Sequence, residues 1–74
     1  MYGMFSKEKK FKEFLGVLKQ WLAVDPENTS ALLYTAICYH NLEDRDNACK
    51  YYKEVLKIDP NDPTAKKNAK SVCQ

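Results

Sequence analysis

Leu22-Ala23-Val24-Asp25-Pro26-Glu27-Asn28 and Leu56-Lys57-Ile58-Asp59-Pro60-Asn61-Asp62 are two versions of one phrase, with Asp59-Pro60 answering Asp25-Pro26. Each closes an apolar stretch, stops it with Asp-Pro and continues with polar residues suited to capping. The stop is steric, because a residue before proline is pushed out of the α region. A helix end that recurs at the interval from Asp25 to Asp59 predicts stacked helical hairpins. Such arrays generally hold other molecules and do no chemistry.

Upstream of the first Asp-Pro, Ser6 can cap a helix spanning Lys7–Val24. Its apolar residues Phe11, Phe14, Leu15, Val17, Leu18, Trp21, Leu22 and Val24 cover about half the circumference at 100° per residue. Gly16 falls on the polar half, where it costs about 1 kcal/mol relative to Ala. Downstream, Asn28 can cap a helix over Thr29–Leu42, and Asp44 one over Arg45–Ile58. Asp62-Pro63 then opens a fourth helix, Pro63–Cys73, with Asp at the cap and Pro at the first helical position. Ala65, Ala69 and Val72 give it a narrow apolar stripe among lysines, which read as a solvating face. The prediction is an all-α chain of antiparallel hairpins.

These residues resemble the tetratricopeptide repeat family. Leu32, Ala36, Tyr39, Ala48, Tyr52 and Pro60 fall where its pattern has large apolar or aromatic, small, aromatic, alanine, aromatic and proline positions. Thr35, Glu43 and Arg45 depart from it, standing where leucine, a turn glycine and tyrosine are usual. The resemblance implies a short solenoid of about two repeats: an incomplete first repeat over 1–28, a complete one over 29–62 and a capping helix over 63–74, all in one domain. Ala36 and Ala48 would let the hairpin close tightly, and Tyr39 and Tyr52 would wedge between hairpins. Both roles are structural.

The same resemblance implies a concave wall built from the first helix of each hairpin, made here of Ser30, Leu33, Tyr34, Ile37 and Asn41. Lys67, Asn68, Ser71 and Thr64 are added from the last helix. Helix Thr29–Leu42 supports this independently, since Leu32, Ala36 and Tyr39 make one apolar face and Leu33, Tyr34 and Ile37 a second. A helix needs only one such face to fold, so the second must meet something. The expected function is a protein-interaction module that takes a peptide or helical segment with apolar anchors in this groove. The lysine–asparagine clamp of chaperone-binding relatives is not matched, because Tyr34 and Ile37 occupy its asparagine places.

Phe14 and Trp21 stand where the family has alanines in a second helix. Either Met1, Met4 and Phe5 fold back over these rings, or Phe14, Leu18 and Trp21 form an open association surface. The latter favours the alternative function, a self-associating structural unit: a homodimer or a piece of a longer solenoid.

Composition narrows the remaining classes. Twelve basic against ten acidic residues leave a net charge of +2, too little for a nucleic-acid stripe. No apolar run nears the ~20 residues that span a bilayer, and the N-terminal residues lack a signal-peptide pattern. Cytoplasmic residence is the resulting expectation. Cys38, Cys49 and Cys73 match no zinc spacing, and the one histidine, His40, lies two positions from Cys38, on another helix face. Reduced, buried thiols are expected, in keeping with a reducing compartment. With no phosphate loop, nucleophile elbow or base-and-orienter pair, neither enzyme activity nor a cofactor or metal is expected.

Overall fold

The computed structural model describes residues 2–73, with side chains from Lys9 to Cys73. Four helices follow one another: α1 (Tyr2–Val24), α2 (Thr29–Asn41), α3 (Arg45–Ile58) and α4 (Pro63–Val72). Turns of three or four residues separate them, and each helix packs against its predecessor. This is the all-α hairpin architecture expected. Leu42 and Cys73 serve as C-caps rather than as the last helical residues.

The helix starts are chemical. Asn28 Oδ1 accepts from the Ala31 amide at 3.1 Å, Asp44 Oδ1 from Asn47 at 3.3 Å and Asp62 Oδ1 from Ala65 at 2.9 Å. Each bond satisfies one of the amides that a helix start leaves without a carbonyl, worth about 1 kcal/mol. Ser6 does not play this part. It lies inside α1, because Tyr2–Phe5 continue the helix upstream of it. Met4 and Phe5 therefore do not form a separate segment that folds back. Whether their side chains, or Met1, reach Phe14 and Trp21 lies outside the described residues.

Two apolar clusters hold the helices together. Leu32 and Ala36 of α2, Ala48, Tyr52 and Val55 of α3, and Ala65, Ala69 and Val72 of α4 make the larger. Leu15 and Leu18 of α1 with Ala31 and Cys38 of α2 make the smaller. Leu22 and Tyr39 pack against both. Helix α2 thus spends one side on α1 and another on α3, which explains why its sequence is apolar around so much of its surface. Thr35, fully buried in place of a leucine, donates its hydroxyl to the Ala31 carbonyl at 2.7 Å and leaves no polar group unsatisfied.

One finding overturns an expectation from the cysteines. Cys49 and Cys73 form a disulfide, with Cα atoms 5.1 Å apart, while Cys38 is a free buried thiol. The pairing is possible because the α3–α4 hairpin returns the end of α4 to the first half of α3. The inference of a reducing compartment from three reduced thiols loses its premise. None of the described helices is long and apolar enough to cross a membrane.

Two substitutions probe this packing. Ala36 and Ala48 are completely buried, so Ala48→Leu should overpack the α2–α3 contact and lower stability by about 1–3 kcal/mol in denaturant titrations. Glu43, in the turn before Asp44, holds φ 63°, the left-handed region. Glu43→Gly should relieve this conformation and raise stability by about 1 kcal/mol, read as a higher Tm.

Candidate partner-binding surfaces

The apolar half of α1 divides in two. Leu15 and Leu18 are buried against α2, with Phe11 and Leu22 half-buried beside them. Phe14, Val17 and Trp21 are left 42%, 59% and 44% exposed. The expected association surface is therefore corrected at one position: Leu18 is fully buried and cannot line it. Its place on the helix, one turn from Leu15 and Leu22, turns it into the α1–α2 contact. Val17 belongs to the open strip instead.

On α2, Ser30, Tyr34 and Asn41 are exposed, while Leu33 and Ile37 are half-buried and pack against the larger cluster. The second apolar face of α2 is thus partly core, and its floor is shallower than a free groove would be. Tyr34, 46% exposed, has its ring centroid 6.1 Å from that of Phe14, tilted by 46°. That contact joins the α2 wall to the α1 strip as one surface. The Asn41 amide already donates to the Ile37 carbonyl at 2.8 Å, which leaves its oxygen as the free acceptor.

The α4 residues expected on the same wall are distributed differently. Asn68 is half-buried, with its side chain toward the Tyr52 hydroxyl, so it faces the core rather than the wall. Lys67 lines a separate cleft of about 750 Å³ between α3 and α4, with Lys53, Lys66 and Lys70 around Leu56, Pro63, Ala69 and Cys73. Ser71 is exposed. The α4 lysines are thus walls of an opening and not only a solvating face. The available signal was internal: the register that lays Asp59 on Asp25 also lays Lys66 and Lys70 on Leu32 and Ala36, both core residues of α2.

The polar groups inside the fold are structural. Tyr52 is fully buried, with its hydroxyl 3.5 Å from His40 Nδ1 and the two rings edge to face at 6.3 Å. Tyr39 and Tyr51 stack at 5.7 Å, and the Lys50 ammonium lies 5.8 Å from the Tyr51 ring centre. Burial pushes the Cys38 thiol up, away from the reactive thiolate. Among the described residues, no cluster of His, Cys, Asp and Glu is placed to hold a metal ion.

Burial likewise raises the Tyr52 phenol above its usual range, and the Asn68 hydrogen bond offsets part of that rise. A folded-state pKa above the unfolded one gives stability that is complete below ~10 and is lost as pH climbs from there toward the folded value. Tyr52→Phe removes this dependence. In denaturant titrations between about pH 8 and pH 11, the variant should gain stability relative to the parent chain as pH rises.

Residues 29–62 match the family model for the tetratricopeptide repeat. No curated protein matches the chain. The matched segment runs from the first residue of α2 to the N-cap of α4, so it contains the complete α2–α3 hairpin. Repeats of this family are generally protein–protein interaction modules.

Proposed function

We propose that this chain, whose residues 29–62 are a tetratricopeptide repeat, is a protein-binding module that holds an apolar-anchored segment of another protein on the face shared by α1 and α2. The supporting observation is the contact of Phe14 with Tyr34, two half-exposed rings that join the strip on α1 to the wall on α2. Leu33 and Ile37 supply a shallow floor, and Ser30, the Tyr34 hydroxyl and the Asn41 carbonyl oxygen are available for hydrogen bonds. Aromatic residues that are large, rigid and half-covered make effective interface anchors. Lys67 and Asn68 are not part of this surface.

A second reading rests on the internal repeat. One repeat later, Phe14 and Trp21 correspond to Ala48 and Val55, which are completely buried in the cluster that α3 forms with α2. A helix of a second copy could pack on α1 as α2 packs on α3, giving a homodimer. Sedimentation over a range of concentrations separates the two readings. A dimer that Trp21→Lys dissolves would support self-association, whereas a monomer leaves the strip free for another protein.

The binding reading is tested by selecting peptides from a random library against the intact chain. Selected segments should carry large apolar anchors and shift the emission of Trp21, the only tryptophan. Phe14→Ala with Tyr34→Ala should weaken them about tenfold or more, equivalent to about 1.4 kcal/mol, with the thermal melt little changed. Peptides that bind the double variant as well as the parent chain would rule this surface out.

A further inference from the structure

The cleft between α3 and α4 occupies a place that is filled one repeat earlier. Shifted back by one repeat, α4 coincides with α2, and the N-caps Asp62 and Asn28 coincide with each other. Lys66 and Lys70 then match Leu32 and Ala36, and Leu56 of α3 matches Leu22 of α1. In the first position α3 lies over these residues, since Leu32, Ala36 and Leu22 all pack in the cluster built around Ala48, Tyr52 and Val55. In the second position, Leu56 and the α4 lysines line an opening. Its geometry is that of a helix seat.

Its chemistry differs from that of the first seat. Lys53, Lys66, Lys67 and Lys70 surround the apolar patch of Leu56, Pro63 and Ala69, and no carboxylate of the described residues lines it. All four lysines are exposed. Four cations around one opening repel one another, so an occupant that brings carboxylates relieves that repulsion as it covers the floor. A second copy docking through α1 fits poorly, because Lys10, Lys12 and Lys19 on that helix would add like charge. The Cys49–Cys73 disulfide ties α3 to the end of α4 and holds the two walls in register.

We propose that the α3–α4 cleft is a docking site for an acidic amphipathic helix of a second protein, lying along α4 as α3 lies along α2. Apolar side chains of that helix cover Leu56, Pro63 and Ala69, and flanking carboxylates meet the four lysines. This site is separate from the α1–α2 face and does not depend on it.

The test is a fluorescence-anisotropy titration of the intact, oxidised chain with a labelled helical peptide of about 18 residues, long enough to hold its helix. Its leucines repeat at three- and four-residue spacing and its remaining positions are mostly glutamate. Binding should weaken about tenfold or more with Lys66→Glu and Lys70→Glu together, and fall as salt is raised. Lys57→Glu, an exposed lysine of α3 outside the cleft, should leave binding within about twofold. A peptide with lysine in place of glutamate should fail to bind, an arm that needs no variant to fold. Equal weakening by Lys57→Glu would reduce the effect to general charge attraction and overturn the site. So would equal binding of a glutamate-rich peptide without the leucine stripe, or tighter binding to anionic phospholipid vesicles than to the peptide. Dimerisation of the chain that displaces the peptide would assign the cleft to a second copy instead.

Discussion

The structure depends on the close approach of α2 and α3. Ala36 and Ala48 are completely buried between them, and side chains this small let the two backbones draw near enough for Tyr52 to be enclosed. Tyr52 is then the common member through which α2, α3 and α4 share one cluster. Its hydroxyl lies 3.5 Å from His40 Nδ1, and this largest of the fully buried side chains carries no unsatisfied polar group. A larger residue at Ala48 would separate the helices and uncover that ring. Ala65, Ala69 and Val72 of α4 pack into the same cluster.

Beyond this hairpin the molecule has two unlike sides. Toward α1 the surface is aromatic, with Phe14, Trp21 and Tyr34 each left nearly half exposed. Toward α4 it is cationic, with lysines around a small apolar floor. Contiguous apolar surface favours interfaces that exclude water, and clustered charge favours partners of opposite sign. The two sides therefore present different chemistry to solvent. Both sides are built on the same four helices.

The disulfide changes how the last helix should be regarded. A narrow alanine–valine stripe gives α4 little apolar area to bury, and its exposed lysines add none. Cross-linking Cys49 to Cys73 removes conformational freedom from the unfolded chain and so supports a helix whose own packing is thin. The remaining thiol, Cys38, lies in the interior between α1 and α2.

Much of this was legible in residue order. Helix ends at Asp25-Pro26 and Asp59-Pro60, caps at Asn28, Asp44 and Asp62, and the small pair Ala36 and Ala48 are governed by local stereochemistry or by a short hairpin, and they fell where expected. The same local logic failed at Ser6, because a helix can run through a good capping residue when the preceding residues are themselves helical. Three-dimensional neighbours decided the rest. Whether Leu18 joined Phe14 and Trp21 or turned inward depended on the angle at which α1 meets α2. The company of Lys67 and Asn68 depended on how α4 rolls against α3, and the pairing of Cys49 with Cys73 on where that helix ends in space. Each of these is a question of distance between segments far apart in the chain, which periodicity along one helix does not contain.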